Sequence, residues 1–181
     1  MHIIGGKFKK KPLIAPKSDA VRPTTSQLRE TVFNICQLAI EKADFLDLFA
    51  GSGAMGLEAI SRGASYATFV EQSRDALHVI KQNIENLHIR PQISIMGMDV
   101  FKALQRLKEE GRTFDIIYAD PPYGKGLGKA LLEWLDQHPL LNENGLLFIE
   151  EADLIIPHLH VLEMHRQRKV GRASLSEFRK K

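Results

Sequence analysis

The chain has one cysteine, Cys36, so no disulfide forms within it. A thiol set in the apolar run from Ile35 to Leu38 reads as a small core residue rather than a nucleophile. No apolar run approaches the ~18 residues that a membrane span requires, and Met1 to Gly6 offers no long apolar stretch of the signal-peptide kind. Internal repeats and low-complexity tracts are missing as well. The histidines His158, His160 and His165 stand near Glu163, but their spacing matches no familiar zinc pattern, so no metal is expected. With these classes set aside, a chain of 181 residues that is 44% hydrophobic and 7% aromatic reads as one soluble domain with one sizeable core, at home in the cytoplasm.

A net charge of only +3 hides a segregated pattern. Residues 1–30 carry seven Lys/Arg and two acids, residues 31–164 eleven and nineteen, and residues 165–181 seven and one. Basic ends around an acidic middle suit a phosphate backbone. Lys9, Lys10 and Lys11 at the front and Arg172 at the back are candidate contacts.

Strand-like and helix-like runs alternate along the middle. Phe45–Phe49 reads as a buried strand entering the glycine turn Ala50–Gly56, with a helix over Leu57–Ser61. A second strand, Ala67–Val70, ends at Glu71. A helix over Arg74–Leu87, a strand at Ile93–Met96 and a helix over Val100–Leu107 follow. Phe114–Ala119 is a fourth strand, Leu127–Trp134 a helix and Gly145–Ile149 a fifth strand. An antiparallel edge hairpin is expected from Val161–Lys169 and Ser174–Phe178, turning at Val170-Gly171-Arg172. Such alternation predicts an α/β fold: a mostly parallel seven-stranded sheet with helices on both faces and ligands at the carboxyl ends of the strands. Residues 1–40 precede this core as a basic extension whose amphipathic helix, with Leu28, Val32, Phe33 and Ile35 inward, reads as a lid.

The chemistry concentrates at those strand ends. Asp120-Pro121-Pro122-Tyr123 follows the fourth strand, where two prolines serve regular structure poorly. A carboxylate beside the stiffened Pro121 carbonyl can accept both hydrogens of a planar amino group, while Tyr123 stacks on its ring. The glycine turn satisfies G-x-G-x-x-G, and Glu71 lies twenty residues after Gly51, where an acid meets ribose hydroxyls. That pattern alone also admits a nicotinamide cofactor and an oxidoreductase. Asp99 follows the third strand, where it can cap the helix that begins at Val100.

The tetrapeptide resembles the signature of methyltransferases acting on exocyclic amino nitrogens of adenine, cytosine or guanine. The stretch Asp47-Leu48-Phe49-Ala50-Gly51-Ser52-Gly53 looks like the first motif of enzymes that use S-adenosyl-L-methionine. Together with His2 to Gly6 and Val21-Arg22-Pro23-Thr24 to Ile35, the chain is similar over nearly its whole length to the bacterial small-subunit rRNA guanine-N2 methyltransferase family (RsmD-like). The resemblance implies a Rossmann-like class I fold and a target at guanine 966 of 16S rRNA. It implies that Asp47, Phe49, Gly51, Ser52, Gly53, Glu71, Gln72, Asp99, Val100 and Asp120 bind the cofactor. Asp120, Pro121 and Tyr123 would act on the base, with Pro122, Arg22, Thr24, Arg29, the three lysines and Arg172 on the RNA. The partner is then small-subunit rRNA, free or within the small subunit, with the protein a monomer. An adenine-N6 or cytosine-N4 methyltransferase is the nearest alternative; 181 residues leave little room for the target-recognition domain that a DNA enzyme normally carries.

Overall fold

The computed structural model describes residues 1–16, 25–89, 92–122, 124–171 and 173–181. Its elements run α1 (Ser26–Ile35), β1 (Asp44–Leu48), α2 (Ala54–Ser61), β2 (Tyr66–Val70), α3 (Arg74–Leu87), β3 (Ile93–Met96), α4 (Val100–Glu109), β4 (Phe114–Ala119), α5 (Leu127–Gln137), β5 (Leu141–Glu150), β6 (Leu162–Val170) and β7 (Ala173–Lys180). The strands form one seven-stranded sheet in the order β3-β2-β1-β4-β5-β7-β6. The first five are parallel, and β7 runs antiparallel to both β5 and β6.

Burial on both faces explains the near-continuous apolar strands. One face packs Phe45, Phe69, Ile116, Tyr118 and Phe148 against α1, α2 and α3. The other packs Leu46, Leu48, Ile117, Leu147 and Ile149 against α4 and α5. The chain order reverses between β1 and β4, so the carboxyl ends of these two strands flank the crevice that such sheets use for ligands.

The expected elements are present with shifted ends. β5 begins at Leu141 rather than Gly145 because Leu141 pairs with Phe114 before the register jumps to Leu146 opposite Ile116. Asn142 is anchored inside that irregularity, donating from Nδ2 to Asp115 Oδ1 at 2.6 Å.

The reading of the front segment as a lid requires correction. Leu28, Arg29, Val32 and Phe33 are all 0% exposed, so α1 is a wall of the core. Thr25 caps it, accepting from the Leu28 amide at 3.2 Å. Residues 4–8 fold onto α2. A short hairpin (Ile3 N to Lys11 O 2.9 Å, Lys10 N to Ile3 O 2.9 Å) buries Ile3 and Leu13. Glu58 receives the amides of Ile4 and Gly5, each at 2.8 Å, and Ser61 Oγ receives that of Phe8 at 2.9 Å. At Gly6, in a left-handed conformation, a Cβ would collide with the Ser61 carbonyl. No helix among the described residues is long and apolar enough to cross a membrane.

Candidate functional site

β1 leads into the glycine turn through Phe49, which holds a left-handed φ of 60°. A non-glycine residue there is costly and marks backbone bent for a purpose. Gly51 and Gly53 continue the turn at φ 55° and 77°. At Gly56 in α2, a Cβ would strike the Phe69 ring, so the glycine allows the helix to sit on β2. Asp47 stands behind this turn. It is 1% exposed, and its Oδ2 accepts the Gly56 amide at 2.9 Å. Burial pushes its carboxyl well above the usual range, and the Gly56 hydrogen bond opposes that rise.

Glu71, just past β2, is the brace on the other side. Its Oε2 accepts from Gly51 N and its Oε1 from Ser73 N, both at 2.8 Å. Each carboxylate oxygen retains capacity for a further donor. Asp99 caps α4, its Oδ1 taking the amides of Phe101 at 3.0 Å and Lys102 at 3.2 Å. The two readings of Asp99 are therefore compatible in space.

A cavity of about 430 Å³ opens along this rim, within the usual range for small-molecule sites. Phe49, Val70, Met98, Val100 and Phe101 give it apolar walls. Gly51, Glu71, Gln72, Asp99, Asp120, Pro121 and Pro122 supply its polar edge, together with Lys125, which the sequence reading did not single out. Flat apolar walls, a strand-end carboxylate braced to a glycine turn and a second carboxylate fit an adenosine-bearing cofactor with vicinal hydroxyls. Asp47, Ser52 and Gly53 do not line the cavity. Ser52 is 8% exposed, and its carbonyl accepts Asn83 Nδ2 at 3.0 Å.

Asp120 lies at the β4 end of the cavity. Burial, followed by the negative charge of Glu150, raises its carboxyl from 3.8 to about 8. Glu150 is the functional candidate that the sequence reading missed. It ends β5 beside Asp120, is 6% exposed, and accepts the Tyr118 hydroxyl at 2.7 Å. The signal available in sequence was an acid directly after the apolar run Leu146–Ile149, at the same rim as Asp120.

The RNA candidates divide. Lys9, Lys10 and Lys11 are exposed in the N-terminal hairpin, Lys10 at a left-handed φ of 70°. Arg22, Thr24, Tyr123 and Arg172 lie outside the described residues. Arg29 calls for correction as a substrate contact. It is 0% exposed, with Nη2 donating to the His2 carbonyl at 3.1 Å and Nη1 3.9 Å from Glu58 Oε2. It holds α1, α2 and the N-terminal hairpin together inside the protein.

The family model described as Conserved hypothetical protein 95 matches residues 1–179. An Escherichia coli (strain K12) protein named ribosomal RNA small subunit methyltransferase D is 32% identical, over 96% of this chain and 87% of its own length. A Bacillus subtilis (strain 168) protein, provisionally named an rRNA methyltransferase, is 31% identical over 100% of both chains. Among solved structures, a hypothetical protein of Thermus thermophilus superposes with a TM-score of 0.85 at 30% identity, covering 98% of each chain.

Proposed function

We infer, because this chain belongs to the Conserved hypothetical protein 95 family and has a relative named for small-subunit rRNA methylation, that it transfers a methyl group from S-adenosyl-L-methionine to the N2 amino group of a guanine in small-subunit rRNA. The observation that carries this reading is the placement of Asp120-Pro121-Pro122 at the end of β4, on the same cavity as Glu71 and Asp99. An amino-group acceptor and a nucleoside-shaped pocket then share one opening. A nicotinamide site would explain the pocket but not the proline-stiffened acceptor.

The cofactor, when bound, supplies an electrophilic methyl group on a sulfonium sulfur. Phe49, Gly51, Glu71, Gln72, Asp99 and Val100 would hold it. Glu71 offers its remaining lone pairs to the ribose hydroxyls while still bracing the Gly51 turn. Asp120 and the Pro121 carbonyl accept the two hydrogens of the guanine amino group. Its nitrogen, otherwise conjugated with the ring, becomes more pyramidal and turns its lone pair to the methyl carbon. Held there, the cofactor would give up its methyl carbon to that nitrogen with the sulfur as leaving group, and ionised Asp120 or water would take the proton the nitrogen loses. Positioning supplies much of the rate. The base must be unpaired or turned out of its stack to reach this rim, with Tyr123 stacking on it.

Residues 1–181 act as one unit in this scheme. The protein works as a cytoplasmic monomer on RNA that is free or already within the small subunit. Small-subunit rRNA from cells lacking the gene tests the reading: with purified protein and tritiated cofactor, digestion should yield labelled N2-methylguanosine. Label appearing instead on adenosine or cytidine would overturn it.

A further inference from the structure

A second concave surface, about 430 Å³, lies between α1 and the C-terminal hairpin. Thr31 and Asn34 form one bank, and His165, Arg166, Arg168 and Arg179 the other. Strand geometry accounts for the concentration of cations. Residues facing α1 alternate along β7 as Ala173, Leu175, Glu177 and Arg179, and after the register shift at Met164/Arg166 they pair with β6 so that Arg166, Arg168 and Val170 share that face. Alternation from Glu163, opposite Arg179, already places His165 on that face, and the shift brings Arg166 there as well.

The cations are not equivalent. Arg179 is engaged with Glu177, Nη2 to Oε1 at 2.7 Å, and Glu177 itself is 3% exposed. Arg166 and Arg168 have no carboxylate partner among the described residues. Two unpaired guanidiniums facing a polar helix bank are built for an external anion, and their planar forks match phosphate oxygens.

Register also fixes where the groove leads. Arg168 pairs with Leu175, which pairs with Glu150 at the end of β5, the neighbour of Asp120 beyond the Ala119–Ile149 pair. Arg168 therefore stands level with Asp120, three strand spacings away, about 14 Å. A strand whose one base sits at Asp120 reaches that distance within a few nucleotides.

We propose that this groove binds the phosphate backbone of the substrate RNA to one side of the methylated nucleotide, with Arg166 and Arg168 as its phosphate contacts. The choice of RNA as the polyanion rests on the function proposed above. The test uses the full chain and a fluorescein-labelled in vitro transcript of small-subunit rRNA, with affinity measured by anisotropy across a salt series. Changing Arg166→Gln and Arg168→Gln together should weaken binding about tenfold and flatten the slope of log affinity against log salt by about 1.4, roughly 0.7 for each lost single-strand contact. Cofactor affinity and Tm should stay at wild-type values, and Arg166→Lys with Arg168→Lys should restore the slope. A control pair on the opposite layer, Lys108→Gln with Lys129→Gln, should leave the slope unchanged. An unchanged slope in the groove variant, equal flattening in the control, or no binding by wild type would each overturn the groove. Methyl transfer is scored separately: a wild type that binds through the groove but adds no methyl upholds the groove and sinks the proposed reaction, whereas full methylation by a groove variant with unchanged KM and slope does the reverse.

Discussion

Replacing Glu150 with Gln should move the pH dependence of methyl transfer without changing the shape of the pocket. Asp120 must be ionised to take an amino hydrogen, yet burial and Glu150 raise its carboxyl to about 8. The rate should therefore climb with pH through neutrality, pass half its maximum near 8 and level off only about one unit higher. Removing the Glu150 charge subtracts one of the two causes. Carboxylates at the ends of adjacent strands are ~5 Å apart, so at an effective dielectric of 20–40 their repulsion is ~1.7–3.3 kcal/mol, which places the acid limb about one to two pH units lower in Glu150→Gln. The amide still accepts from the Tyr118 hydroxyl, so this hydrogen bond survives. The assay is kcat/KM for the cofactor at saturating RNA from pH 5.5 to 9.5, because that ratio reports the enzyme before the cofactor binds. The kcat profile should lie on the acid side of it, since a bound sulfonium favours ionised Asp120. At pH 6.5 the variant should then be faster than wild type. A limb that stays in place, or one that moves to higher pH, would refute the coupling of the two acids.

Other outcomes follow from the same geometry. Asp120→Asn should abolish turnover while altering cofactor affinity far less. It also has a stability signature: a carboxyl raised from 3.8 to about 8 costs stability progressively as pH rises between those values. The variant should therefore match wild type near pH 4 and melt higher at pH 9, by ~1–2 kcal/mol after allowance for its half-buried position, or a few degrees in Tm. Glu71→Gln keeps the size of the side chain but places an amide nitrogen where one oxygen accepts a backbone hydrogen. Calorimetry should show cofactor binding weakened tenfold or more, and unchanged affinity would remove Glu71 from the site. Glu58→Gln strips the charge beside buried Arg29 and should cost ~3–5 kcal/mol in urea unfolding; a loss under 1 kcal/mol would mean that Arg29 is otherwise neutralised. An rRNA fragment with inosine at the target should bind yet accept no tritium, since it lacks only the amino group.

What was legible in the sequence depended on repetition along the chain. Apolar runs broken by turn residues gave the strands and their alternation with helices, and with them the sheet and its active rim. Glu71 and Asp120 were legible because each directly follows such a run, and Asp99 because it comes just past one and opens a helix. Arg29 was misread because a cation on an amphipathic helix ordinarily faces water, and only the placement of Glu58, on another element, reveals a buried partner. Glu150 was passed over for a related reason. Its importance comes from lateral adjacency of β5 to β4, a property of the sheet rather than of its own neighbourhood in the chain. The N-terminal lysines read only as part of a basic extension, whereas Ile3 and Leu13 anchor their hairpin through isolated apolar positions too few to form a period.

The order of the last three strands has a consequence for how the protein is made. β7 lies between β5 and β6, so a strand synthesised after both of its neighbours takes the seat between them. While residues 173–180 are still in the ribosomal tunnel, the apolar edge of β5 has no neighbour on that side, and β6 has no sheet to join. An uncovered edge rich in Leu, Phe and Ile is an invitation to pair with another chain. Closure of the sheet must therefore wait until β7 has left the tunnel. A premature stop between the end of β6 and the end of β7 would forfeit two strands rather than one, releasing a nascent product that chaperones and proteases would meet with the β5 edge of its sheet open.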